Sequence, residues 1–260
     1  MKFTTISQAK KLTGLSYLGS INSSSKIVKN AKIGVNTYII YLAPANLSGH
    51  NVCPFATKEC KDGCLASSGR NKMEINSGKN RINNARIVKT KLFFEHREFF
   101  MDWLFAEINA AEQKSIKDGM EFSVRLNGTS DIDWGKILVN GKNVFDTFSH
   151  IQFYDYTKNP NKFNNISPNY HLTFSYTGIN KTVSTKLINK GFNVAVVFNV
   201  KKGSELPKTF LNHKVVDGDI TDYRPNDGKK VIVGLRWKDI ADKKANEFIK
   251  NKGRFVVQVD

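Results

Sequence analysis

Cys53, Cys60 and Cys64 are the only cysteines of the 260-residue chain, and all three fall in the stretch NVCPFATKECKDGCLASSGR, residues 51–70. Three thiols cannot form a closed disulfide framework, because one would be left over. In a reducing compartment, clustered cysteines serve as metal ligands or reactive groups more often than as crosslinks. An iron–sulfur cluster confined to electron transfer takes four thiolates. A [4Fe-4S] cluster held by Cys53, Cys60 and Cys64 alone would keep one iron open to a small molecule, the arrangement that turns a redox centre into a catalytic one. Structural zinc needs four Cys or His ligands, and His50, three residues before Cys53, makes a Cys3His knuckle the second reading. Reactive or structural thiols without metal are the third. His96, His150, His171 and His213 read as surface or packed residues.

A second group of polar residues recurs at the ends of apolar runs. VRLNGTSDIDW offers Arg125, Asn127 and Asp131, and a strand's period of two puts Arg125 and Asn127 on one face. A buried arginine needs an acid, for which Asp131, Asp155 and Asp217 are candidates. QFYDYTK adds Tyr154, Asp155 and Lys158, the last able to meet a phosphate or carboxylate. Asn199 ends FNVAVVFN, Asp217 sits in VVDGDITDYRP, and Arg236 ends VIVGLR. Arg125, Asn127, Asp131, Tyr154, Asp155, Lys158, Asn199, Asp217 and Arg236 are therefore the substrate-binding candidates, with a purely structural polar network as the other reading. No catalytic residue is assigned. No phosphate loop, G-x-S-x-G elbow or HExxH is present.

The elements that must position these groups are legible as runs. NTYIIYLAP reads as a buried strand directly before the cysteines, and a helical pattern extends from about residue 76 to residue 117, stopped by Gly119. Seven further strand candidates follow, in EFSVRLNG, HIQFYDYTK, YHLTFSYTG, FNVAVVFNV, NHKVVDGDI, KKVIVGLRWK and RFVVQVD, most separated by polar or helical connectors. Such alternation predicts βαβ units and a parallel sheet. About eight strands suit an α/β fold with a full or partial TIM-like (β/α) barrel, the cysteine loop following its first strand. Residues 1–34 read as an N-terminal extension and 35–260 as one barrel-like domain.

Forty Lys and Arg against twenty-three acids give a formal charge of +17. That balance makes nucleic acid a candidate partner, and a basic nucleic-acid-binding protein with a structural metal is the alternative function. A redox or oxygen sensor is a further one. No run of eighteen apolar residues and no apolar leader is present, so no membrane partner and a cytosolic location are expected.

The strand, cysteine loop and long helix resemble the layout of the radical S-adenosylmethionine superfamily, whose commonest spacing is C-x3-C-x2-C, where this chain has C-x6-C-x3-C. That resemblance implies S-adenosylmethionine on the open iron. CPFATKECKDGCLASSGR, ARIVKTKLFFEHREFF, VRLNGTSDIDW, QFYDYTK and VVDGDITDYRP with VIVGLR together resemble the gene product 88 family of tailed bacteriophages. This resemblance covers most of residues 36–260 and implies a phage protein expressed in the cytoplasm of an infected bacterium. It implies no reaction.

Overall fold

The computed structural model of the chain describes residues 5–21, 23–25 and 27–259. In chain order the elements are α1 (Ile6–Thr13), β1 (Gly19–Ile21), α2 (Val28–Ala31), β2 (Val35–Ile40), α3 (Lys58–Asp62), α4 (Gly69–Asn76), α5 (Arg81–Glu95), α6 (Arg97–Lys117), β3 (Glu121–Arg125), α7 (Val144–Thr147), β4 (Gln152–Thr157), β5 (Tyr170–Ser175), α8 (Lys181–Asn189), β6 (Asn193–Phe198), β7 (Thr209–Phe210), β8 (His213–Asp217), β9 (Ile232–Arg236), α9 (Lys243–Asn251) and β10 (Val256–Val257). They belong to two compact units interleaved along the chain. One comprises residues 1–54, 81–153 and 167–170, the other residues 55–80, 154–166 and 171–260.

In the first unit, β2 lies between β1, antiparallel with Gly19 opposite Ile40, and β3, parallel with Val35 opposite Glu121. All six residues of β2 are buried, so its sequence lacks strand alternation, and its two polar residues, Asn36 and Thr37, are hydrogen-bonded to Ser115 and to Asn30 and Ser123. β3 pairs in parallel with the start of β4, Val124 opposite Phe153. The aromatic face of α6 supplies the fully buried Phe100, Trp103, Leu104 and Ile108, and α5 adds Leu92 and Phe93. Phe93 meets Phe100 edge-on, with ring centroids 5.2 Å apart, and tilts against Trp134 at 5.2 Å. The expected long helix is two helices, because the backbone breaks at His96 (φ −137°, ψ 54°).

In the second unit the strand order is β5, β6, β9, β8, β7. β5, β6, β9 and β8 pair in parallel, whereas β7 is antiparallel to β8. Short β10 joins β6 in parallel at Val256 opposite Val197, beyond the point where β5 leaves it. Phe198 and Tyr176 both pack edge-on against Phe210.

These pairings make a mixed α/β protein with mostly parallel strands, and of the full or partial barrel expected from sequence they do not form the full, closed one. A (β/α) barrel needs consecutive parallel strands side by side. Here β9 inserts between β6 and β8, and the strand order ends in the antiparallel strands β1 and β7, so the strands are not closed on themselves. All eight strands expected from sequence form, and β1 and β7, three and two residues long, are additional.

Candidate functional site

Cys60 and Cys64 belong to the second unit, on a turn at the carboxyl edge of its parallel strands. Thr57, in extended backbone, caps α3, its Oγ1 accepting the Cys60 N–H at 3.2 Å. Gly63 sits between the two cysteines, where a Cβ would come within 3.0 Å of the Trp237 ring and 3.1 Å of Ile249 Cδ1. Only a residue without a side chain lets the turn lie this close. Cys64 then leads in extended backbone into the 3-10 turn Leu65–Ser67. Its carbonyl accepts both the backbone N–H and the hydroxyl of Ser67, each at 2.9 Å.

The second unit holds this turn from two sides. The Glu59 carboxylate accepts the backbone N–H groups of Arg254 at 2.8 Å and Phe255 at 2.7 Å. A Cβ on Gly253 would fall 2.7 Å from that same oxygen. Ala241 N–H donates to Ser67 O at 3.0 Å, and Ser68 bridges Ile240. The support is apolar, with Ile240, Ile249 and Val256 buried together against Val197, Trp237, Ala245 and Phe255. Because Trp237 is the first residue after β9, the thiols of Cys60 and Cys64 are carried at the carboxyl ends of the strands. That is the edge at which open parallel sheets bind ligands.

Cys53 belongs to the first unit. Its backbone N–H is taken by Asn51 Oδ1 at 3.0 Å, and its thiol donates to Thr129 O at 3.8 Å. The loop carrying Thr129 is organised by Asn127, whose Oδ1 accepts from Ser130 Oγ, Ile132 N and Trp134 Nε1 while its Nδ2 donates to Ile132 O. Asn127 thus organises its own loop. Asp131 N–H donates to Val52 O at 2.8 Å, tying that loop beside Cys53. Arg125 is buried on β3. His50 stacks flat on Phe94 at 4.3 Å, its ring engaged with an aromatic face. None of the three cysteines is in a disulfide, and each is half-buried. Among the described residues no group of three or more His, Cys, Asp or Glu is placed so as to hold a metal ion.

The remaining candidates lie in the second unit and form two constellations. Arg236 Nη1 reaches both Asp217 oxygens at 2.9 Å and Asp219 at 3.3 Å, while its Nε and Nη2 donate to Ser204 O. Lys238 approaches Asp219 at 3.5 Å. Asp217 and Arg236 line a cavity of about 440 Å³ together with residues 203–208 and Val215. Two acids and two bases largely compensate there. Asn199 joins the end of β6 to β10, its Nδ2 donating to Gln258 Oε1 at 2.8 Å. Lys158 Nζ lies 5.9 Å from the Phe255 ring centroid.

The second constellation is buried. Tyr154 donates to Asp222 Oδ2 at 3.3 Å, and the fully buried Arg224 reaches Asp227 at 3.1 Å and the carbonyls of Gly218, Thr221 and Asp222. Burial raises the Asp227 carboxyl to about 6 against the pull of Arg224, and burial with Arg224 nearby lowers His171 to about 4. Asp155 is buried on β4, on the face opposite Tyr154 by strand alternation. Sequence reasoning missed Asp222, Arg224, Asp227 and His171. The signal lay in GDITDYRP, where an arginine two residues after an aspartate precedes proline in a loop, a pattern that otherwise reads as solvated.

No helix among the described residues is long and apolar enough to cross a membrane. No curated protein and no solved structure matches the chain. Residues 6–252 match the family described as Gene product 88, a span that holds most of both units, the cysteine turn and the buried Arg224 network but not β10, and the chain belongs to the gene product 88 family.

Proposed function

We propose that this is an iron–sulfur protein in which Cys53, Cys60 and Cys64 ligate a [4Fe-4S] cluster and leave one iron open to a small molecule. The observation that carries the reading is the set of three half-buried thiols outside any disulfide, the chain's only cysteines, with Cys60 and Cys64 held in a capped turn at the strand carboxyl edge. Thiolates are the ordinary ligands of such clusters. Ligation and local folding are coupled in thiolate sites, so the donors need not stand in ligating geometry before metal is present. The polar rim of Asp217, Arg236 and Asn199 supports a small polar molecule as the occupant of the open iron. S-adenosylmethionine is one such molecule.

Anaerobic purification and reconstitution, followed by iron and acid-labile sulfide analysis, tests the reading. Bound iron and sulfide with broad visible absorption are expected, both lost in Cys60→Ala. A protein that takes up stoichiometric zinc and never iron would overturn it. A change in the cluster's spectrum on adding S-adenosylmethionine would identify the open-site ligand.

A further inference from the structure

The first unit carries a second feature, unrelated to the cysteines. Residues 1–54 contain Lys2, Lys10, Lys11, Lys26, Lys29 and Lys32 and no aspartate or glutamate. Lys2 and Lys26 lie outside the described residues. The same stretch exposes Leu12, Tyr17, Val28, Ile33 and Leu47. Uniformly basic charge beside exposed apolar and aromatic groups is the composition that meets a polyanion bearing flat rings.

The helix packed beside this stretch organises it. Arg86 and Phe94 of α5 are half-buried, as is Arg97 at the start of α6 beyond the break at His96, whereas Lys89 and Phe93 between them are buried. Each cation is paired with a ring. Arg86 lies 5.5 Å from the Tyr41 centroid, Lys89 4.9 Å from Tyr17, and Arg97 4.1 Å from Phe93 and 5.6 Å from Phe94, while His50 stacks on Phe94. Of these, the half-buried Arg86–Tyr41 and Arg97–Phe94 pairs are pre-ordered units for a base and its phosphate, whereas Lys89 is buried with its ammonium on Leu18 O. Glu95, the one acid in α5, is nine residues from Arg86, two and a half turns on, and so faces the other way.

We propose that the first unit binds single-stranded nucleic acid along this side of α5. Tyr17, 53% exposed, and the His50–Phe94 stack offer surfaces to bases, and Arg86, Arg97 and the N-terminal lysines meet phosphates. Single strands fit better than a duplex, whose bases are already stacked and present no free face. An anionic membrane would also answer the charge. The series of ring–cation pairs and an α1 of only eight residues favour nucleic acid instead.

The test is fluorescence anisotropy of the full chain with labelled single-stranded DNA and RNA of about twelve nucleotides, the matching duplex, and anionic phosphatidylserine vesicles. Single strands are expected to bind more tightly than duplex or vesicles. Affinity should fall about fifty-fold between about 50 and 200 mM salt if about four phosphates are neutralised. Tyr17→Ala and His50→Ala should each weaken binding on the order of ten-fold with unchanged circular dichroism. Lys10→Glu with Lys11→Glu should flatten the salt dependence. No binding at low salt, equal or tighter binding to duplex or vesicles, or binding that ignores Tyr17→Ala and His50→Ala would each overturn the proposal.

Discussion

Both units bury charge, and they do so in opposite ways. In the first, Glu107 accepts the N–H groups of Leu18 at 3.0 Å and Gly19 at 3.0 Å and the Tyr38 hydroxyl at 2.7 Å, while Lys89 donates to Leu18 O at 2.6 Å. Glu107 answers all three donors that face it, and the result is a clamp that fixes short β1 against its neighbours. In the second, Arg224 is fully buried, yet His171 Nε2, Thr173 Oγ1 and Asp227 Oδ2 find no hydrogen-bond partner, and the Arg224–Asp227 approach is an ion pair without hydrogen-bond geometry. A satisfied network stabilises and specifies, whereas a partly satisfied one is sensitive to whichever of its groups changes charge. The first unit's network is a fastener, and the second's is a load of buried charge in balance.

The largest effect should come from disturbing that balance. Arg224→Ala leaves Asp222 and Asp227 together without their cation, and a loss on the order of 4 kcal/mol is expected in chemical denaturation. A loss below about 1 kcal/mol would mean that the buried pair is not holding the second unit together. Glu107→Gln keeps the shape of the clamp but removes the charge facing Lys89 and weakens three hydrogen bonds. It should cost about 2 kcal/mol, less than Arg224→Ala because Glu107 is half-buried. An equal or greater cost would reverse the ranking of the two networks.

The pH profile gives a smaller but sharper test. The Asp227 carboxyl is raised from 3.8 to about 6 in the folded state, so its contribution is present below about 3.8 and is lost as pH rises through about 6. His171 is lowered from 6.5 to about 4, so its contribution is present above about 6.5 and is lost as pH falls through about 4. Between pH 4 and 6 the two slopes oppose and largely offset. Arg224 faces both groups and Asp222 also faces Asp227, while the hydroxyls of Tyr154 and Tyr156 face Arg224. His171→Gln should unmask a stability that falls with rising pH over this window, and Asp227→Asn one that rises. Identical profiles for wild type and both variants would remove the electrostatic coupling from the account.

Much of the fold was readable because strands announce themselves by composition. The β-branched and aromatic runs gave all eight expected strands, and Gly119, with φ near +68°, marks the end of α6. Three-residue β1 and two-residue β7 carry too little pattern to be seen. The break at His96 was hidden because apolar spacing continues across it from Phe93 to Phe100. Strand order was not legible for a different reason: alternation of strands and helices reports parallel pairing, but not that β9 enters between β6 and β8. At the site, the cysteines and Asp217 with Arg236 were visible as chemistry-bearing types at run ends. Arg224 was not, because its burial depends on a loop folding back so that Gly218, where a Cβ would lie 2.7 Å from the guanidinium, admits it.

The central claim rests on the thiols, and the most direct measurement is an anaerobic visible spectrum of freshly reconstituted protein with iron and sulfide counted on the same sample. The account predicts a brown protein with about four iron and four sulfide per chain, reduced to background in Cys60→Ala. A colourless protein holding zinc alone, or a Cys60→Ala variant that keeps its full iron, would contradict it.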